Sequence, residues 1–203
     1  MNTSNPLNTA LIIFVRNAEL GKVKTRLAKV IGKNKALAVY QLLLKHTKQI
    51  TIPLNCKKFV YYADYVDEHD LWNCIGYTKR QQFGNHLGER MSNAFEELFK
   101  QGFQRIIIIG SDCYQLQTEL IQEANDLLNT HNVVMGPTFD GGYYLLGMNH
   151  FIPELFIGKA WSTGQVAKQT FEDLNQLGLS FTLLKQLHDV DEVTDLEING
   201  IAV

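Results

Sequence analysis

The feature that most constrains this chain is a pair of short, unbroken apolar runs, Ala10–Val15 (ALIIFV) and Ile106–Ile109 (IIII). Neither alternates with polar residues, so each reads as a strand covered on both faces rather than one with a face in water. Both fall far below the ~20 apolar residues that a membrane-crossing helix needs. The chain must therefore build layers that bury a sheet from both sides.

The rest of the pattern supplies those layers. Leu37, Tyr40, Leu44 and Thr47 fall on one side of a helical period, with Ala36, Val39, Leu43 and Ile50 beside them. Phe59–Ala63 reads as a second strand. Leu87, Met91, Phe95 and Leu98 recur at helical spacing, and Gly102 follows as a stop. A further helix is predicted from about Thr118, with the Thr118 hydroxyl as its cap. Val133–Met135, Tyr143–Met148 and Phe181–Leu184 read as strands, and 163–177 as a helix. Strands alternating with helices predict an α/β fold, a three-layer α/β/α sandwich with a mostly parallel central sheet. At 203 residues the chain suits one domain over 1–203, with 1–9 as a flexible start.

Charge and cysteine usage narrow the function. Nineteen Lys and Arg against 21 Asp and Glu leave a net charge of -2, so no global pull toward nucleic acid or anionic membrane exists. Three scattered cysteines make no disulfide framework and no CxxC pair. The polar N-terminus lacks the basic and apolar regions of a secretory signal, so a reducing cytoplasm is expected. The six histidines show no HxxxH spacing, which argues against zinc. GxSxG, GxxxxGK[ST] and GxGxxG patterns do not occur, which disfavours serine hydrolases, Walker-type NTPases and Rossmann dehydrogenases.

In an open parallel sheet, ligands gather beyond the carboxyl ends of the strands. After the first strand stand Arg16, Lys22, Lys24 and Arg26, with Gly21 among them. Converging cations beside a glycine suit a nucleotide polyphosphate, although a solvated basic loop has the same composition. Asp112 follows the central strand and suits a divalent cation held against phosphate oxygens, or else simply forms a turn. Asp140-Gly141-Gly142 is either a tight hairpin turn or a place where backbone lies against a ligand. Asp189-Val190-Asp191 sets two carboxylates on one face of an extended segment, as a second part of a metal site or as solvated acid.

Six ordered blocks together resemble a known family. They are VKTRLA (23–28), HLGERM (86–91), GSDC (110–113), GPTFDGGYY (136–144), WST (161–163) and DVD (189–191), the last followed by Asp195-Leu196. In order and spacing they resemble the bacterial DUF2064 proteins, glycosyltransferase-like proteins associated with radical SAM or selenium-domain genes, across roughly residues 10–198. The KTRL loop and DGG turn are more distantly similar to phospholactate and molybdenum-cofactor guanylyltransferases.

The resemblance implies a GT-A-like nucleotide-diphospho-sugar transferase fold, a bound NTP or NDP-sugar, and Mg²⁺ or Mn²⁺. By motif, Lys24 and Arg26 would contact phosphates, together with Arg16, Gly21 and Lys22 of the same loop. Asp112 would ligate the metal, with Asp189 or Asp191 as a second ligand. Asp140, Gly141, Gly142 and Tyr143 would line the acceptor side. Trp161 either shapes the acceptor pocket or packs in the core, with Ser162 or Thr163 capping the next helix. Two departures stand out. Arg16-Asn17-Ala18 replaces the family's usual Lys and Pro, and Tyr114 replaces the proline after GSDC.

These residues predict a cytoplasmic transferase acting on a small molecule, with neither nucleic acid nor a membrane span involved. Nucleotidyl transfer from an NTP to a phosphorylated acceptor leads, because a triphosphate needs more cations than a diphosphate. Glycosyl transfer from an NDP-sugar and a non-catalytic nucleotide-binding module are the alternatives.

Overall fold

The structure is a computed structural model that describes residues 8–161 and 163–202. Seven strands form one sheet: β1 (Thr9–Val15), β2 (Lys57–Tyr62), β3 (Tyr77–Gln81), β4 (Arg105–Ile109), β5 (Val133–Pro137), β6 (Tyr143–Met148) and β7 (Phe181–Leu183). Their order across the sheet is β3-β2-β1-β4-β6-β5-β7. β6 alone runs against its neighbours, antiparallel to both β4 and β5; the remaining pairings are parallel. The α/β fold with a mostly parallel sheet read from the sequence is the fold observed.

Side chains alternate across the pleat, so β1, β2, β4, β5 and β6 each feed two cores. Leu11, Ile13 and Val15 of β1 pack with Tyr40 and Leu44 of α2 (Lys33–Thr51) and with Ile121 and Ala124 of α4 (Thr118–Leu127). Ala10 and Ile12 point the other way. They join Phe95 and Leu98 of α3 (Leu87–Lys100) and Ala167 and Leu174 of α5 (Val166–Gln176). The four isoleucines of β4 divide between these cores, and all are buried, as an unbroken apolar run requires. A third, smaller core joins α1 (Thr25–Ile31) and α2 to α6 (Val193–Ile198) through Leu27, Val39, Leu43 and Leu196.

Several local expectations change. Thr118 does not cap α4: its hydroxyl donates to the Ile50 carbonyl at 2.7 Å, and the cap position is Gln117, which makes no side-chain cap. β1 begins at Thr9, which is buried and bonded to Asn125, so the expected flexible start does not reach it; residues 1–7 lie outside the described residues. The basic loop 16–26 ends early because α1 opens at Thr25. α5 begins at Val166 rather than Thr163. β3, α1 and α6 have no counterpart in the predicted elements. β3 is an edge strand with two basic residues and partial burial, so it lacks the apolar signature of the central strands. Among the described residues no helix is long and apolar enough to cross a membrane.

Candidate active site

β1, β4, β5 and β7 all run in one direction, so the segments leaving their carboxyl ends converge on one edge of the sheet. There they enclose a cleft of about 560 Å³, lined by both charge signs. Arg16, Lys22, Lys24 and Arg26 face Asp112, Asp140, Asp189 and Asp191 across it.

The loop after β1 is set by its backbone. Gly21, at φ 79°, makes a turn open to few other residues; a β-carbon on it would meet the Lys33 side chain at 3.3 Å, and it does not line the cleft. Lys24 is the one non-glycine residue with positive φ among the described residues, at φ 46° and ψ 49°. This left-handed turn immediately precedes α1, and the Lys24 carbonyl accepts the Ala28 amide at 2.8 Å. It sends the Lys24 side chain inward, where the side chain is only 4% exposed. Lys24 Nζ lies 2.7 Å from Asp112 Oδ1 and 3.0 Å from Asp191 Oδ1. Burial pulls this amine down, but the two carboxylates outweigh it and push it up to about 12. Arg26, on α1, reaches Asp191 at 3.7 Å and stays largely in solvent. Lys22 is exposed and paired with Glu19 at 2.6 Å.

Backbone bonds bring the two acidic motifs together. The Val190 amide donates to the Asp112 carbonyl at 2.9 Å, and the His188 amide to Gln115 Oε1 at 3.0 Å. Asp189 is therefore held near Asp112. Its own burial, with the charges of Asp112 and Asp140 next, pushes the Asp189 carboxyl up to about 8 against the pull of Lys24. Asp195 holds the local backbone: its Oδ2 accepts the amides of Asp191 and Glu192 in the capping box of α6.

The 140–142 turn is the hairpin connection between antiparallel β5 and β6 and lies at the cleft as well. Asp140 Oδ1 accepts from the Gly142 amide and the Thr138 hydroxyl, leaving Oδ2 for the cleft. Gly142 lines the cleft but Gly141 does not. Instead Gly141, at φ 87°, packs against Gly164; a β-carbon on it would lie 2.2 Å from the Gly164 carbonyl oxygen. Tyr143 reaches the cleft with part of its ring, while its hydroxyl meets Met91 Sδ at 3.7 Å.

Trp161 lines the cleft and also packs on the α3-side core, stacked on Phe156 at 6.5 Å. Its ring lies against Gly88, where a β-carbon would come within 2.2 Å, which accounts for the glycine in HLGERM. Thr163 donates to the Ala160 carbonyl at 2.6 Å and closes the turn before α5, three residues short of the helix it was expected to cap. Ser162 lies outside the described residues.

Sequence reasoning missed Tyr40 as a site residue. It sits on the apolar face of α2, yet its hydroxyl accepts the Arg16 amide at 2.8 Å, lies 3.3 Å from Ser111 Oγ and lines the cleft. A phenol hydroxyl on a largely aliphatic stripe was the available signal. Leu87 and Gly164 also line the cleft.

For a metal, the donors are of the right kind. Asp112 and Asp191 are hard oxygen ligands about half exposed, each with one oxygen not bonded to Lys24. Among the described residues no three histidine, cysteine or acidic side chains converge as a ready ligand set. Magnesium needs only one or two carboxylates when substrate phosphates complete its shell, so the pair fits it.

A family model described as an uncharacterized protein conserved in bacteria (DUF2064) matches residues 48–163, more than half of the chain. A candidate nucleotide-diphospho-sugar transferase from Desulfovibrio desulfuricans G20 is 33% identical and superposes with a TM-score of 0.88, over 95% of this chain and 86% of that one. The 4-diphosphocytidyl-2C-methyl-D-erythritol synthase of Anaerococcus prevotii DSM 20548 gives a TM-score of 0.60 at 10% identity, over 96% and 95% of the two chains. The inositol-1-phosphate CTP transferase of T. maritima gives 0.57 at 10% identity, over 97% and 95%. No curated protein matches the sequence. The family model and the 33% identical relative agree: this chain belongs to the DUF2064 family and has the nucleotide-diphospho-sugar transferase fold.

Proposed function

We propose that the chain is a metal-dependent nucleotidyltransferase, transferring a nucleotide from an NTP to a small phosphorylated acceptor and releasing pyrophosphate. The observation that carries this reading is the Lys24 ammonium held between Asp112 and Asp191 beside a loop of further cations. Such a place accepts both a divalent cation and the phosphates it binds. The names of the cytidylyltransferases that share the fold lend it support.

Asp112 with Asp191, or with Asp189 in its place, would hold Mg²⁺ or Mn²⁺, and the ion would neutralise charge on the triphosphate. Arg16, Lys22, Lys24 and Arg26 bind and orient the phosphates. A phosphate oxygen of the acceptor attacks the α-phosphorus; the bond from that phosphorus to the bridging oxygen breaks, and pyrophosphate leaves with the electron pair. The attacking oxygen is already ionised, so the protein supplies position and electrostatic stabilisation rather than a nucleophile. Asp140 Oδ2, Gly142 and Trp161 form the acceptor wall.

Glycosyl transfer from an NDP-sugar is the second reading, favoured by the name of the 33% identical relative. There the acceptor is a hydroxyl, and Asp140 is the base that takes its proton. The three free thiols suit a reducing cytoplasm.

A thermal-shift panel of the four NTPs and common NDP-sugars, each with and without Mg²⁺ or Mn²⁺, tests the choice. Nucleotidyl transfer requires a metal-dependent shift with a free triphosphate and pyrophosphate release that Asp112→Asn abolishes. A shift only with NDP-sugars would replace it by the glycosyl reading, and no shift with any nucleotide would remove both.

A further inference from the structure

At the end of the sheet away from the cleft, two cations are buried without a carboxylate. Arg105 opens β4 and Lys58 lies in β2, and each is only 9% exposed. The register sets them on one face. Lys58 is opposite Leu11, Leu11 is opposite Ile107, and Arg105 stands two residues before Ile107 on the same side of the pleat. Among the described residues neither lies within 4 Å of an acidic side chain, and residues 1–7 contain no Asp or Glu.

Their partners are neutral oxygens. Arg105 Nε donates to Thr9 Oγ1 at 3.2 Å, and Nη1 donates to Asn129 Oδ1. Lys58 Nζ donates to the Leu54 carbonyl at 2.7 Å. Arg105 Nη2 bonds no described residue and retains some open surface. A cation drawn out of water without an opposite charge is a liability unless a counter-ion arrives.

A place for one exists. Arg105 lines a cavity of about 280 Å³ between this face of the sheet and α4. Leu11, Leu54 and Ile107 make its floor, while Asn55, Gln122 and Asn125 bring side-chain amides to its wall. Asn125 Oδ1 accepts from the Thr9 hydroxyl, which leaves its Nδ2 to donate. The one acid at the rim, Asp126, is exposed to water and screened. The volume falls just below the roughly 300 Å³ at which ligand pockets usually begin, which limits an occupant to a small molecule.

We propose that this cavity is an anion site for a small molecule with one carboxylate or phosphate group on an apolar body. The anionic group bonds Arg105, the amides of Gln122 and Asn125 add donors, and the apolar part rests on Leu11 and Ile107. The site is at the opposite end of β1 and β4 from the proposed transferase cleft and does not depend on that reading.

The test is a titration of the ¹⁵N-labelled full chain followed by amide NMR, at ionic strength held constant with chloride. Inorganic phosphate and butyrate are added separately. Butyrate or phosphate should produce saturable shifts at Asn55, Cys56, Gln122 and Asn125; phosphate also reports on the cleft through Arg16 and Lys22. Whichever probe saturates identifies the group as carboxylate or phosphate. Asn125→Asp and Gln122→Glu, on the outer helix, add a carboxylate beside Arg105 and should weaken cavity binding about tenfold or more. Phosphate shifts at Arg16 and Lys22 should persist in both variants. Linear or absent shifts at the cavity residues with both probes, or unchanged binding in both variants, would overturn the site.

Discussion

The Tyr40 hydroxyl lies 3.3 Å from Ser111 Oγ, so one side chain of α2 ties the loop after β1 to the loop after β4. The same oxygen accepts the Arg16 amide at 2.8 Å and is 3.2 Å from the Arg16 carbonyl. The cation loop and the loop that carries Asp112 are thus tied through a single buried group.

Tyr40→Phe keeps the ring and removes that tie. Losing the part-buried bond from the Arg16 amide costs about 1 kcal/mol, measurable by urea unfolding. Pyrophosphate release should fall as well, with the metal concentration for half-activation rising because Asp112 is less well held.

Lys24→Met addresses the ammonium between Asp112 and Asp191. Turnover should drop roughly 10²–10³-fold, the usual effect of losing one charge-stabilising donor. Retained circular dichroism would locate the loss in chemistry rather than folding. Activity within a few fold of wild type would remove Lys24 from the phosphate site.

Gly141→Ala tests the close approach of the 140–142 turn to the segment before α5. A β-carbon there meets the Gly164 carbonyl at 2.2 Å and the φ of 87° is strained for alanine. A loss of about 2 kcal/mol or more is expected by thermal or urea unfolding. Gly142→Ala, whose β-carbon would meet only Thr138 and Asp140 side-chain oxygens at 3.1 and 3.4 Å, should cost less stability.

The cysteines give a pH prediction. Burial, partly offset by Lys58, pushes the Cys56 thiol up to about 11 from its ordinary 9.0. Iodoacetamide at pH 8 should therefore label exposed Cys74 first, as peptide mass spectrometry can show. Because the folded value is raised, Cys56 supports the folded state fully below pH 9 and loses that contribution as pH climbs through 11. Cys56→Ala should flatten this part of the alkaline unfolding curve.

How much was legible differs by residue. The central strands and the helices α2 and α3 announced themselves through period and apolar length, since burial on both faces leaves few other choices of residue. Edge strand β3 and the short α1 and α6 did not, because they depend on packing against the rest of the fold. Asp112, Asp189 and Asp191 were readable as acids after strands, and the structure does gather them at one cleft. That Lys24 would sit between two of them was not readable, as it follows from a left-handed residue and a contact across 167 positions. Gly21 and Gly141 were read as ligand contacts; both have positive φ, Gly141 lies against Gly164, and neither lines the cleft. Tyr40 was hidden by its place in an apolar stripe.

The bond from Lys24 to Asp191 also has a consequence for synthesis. The last strand, β7, ends at Leu183, so a nascent or truncated chain that stops there already holds every strand of the sheet. It lacks Asp189 and Asp191, and Lys24 has only Asp112 to meet. The growing polypeptide thus holds every described strand of its sheet before residue 191 supplies Lys24 with its second carboxylate.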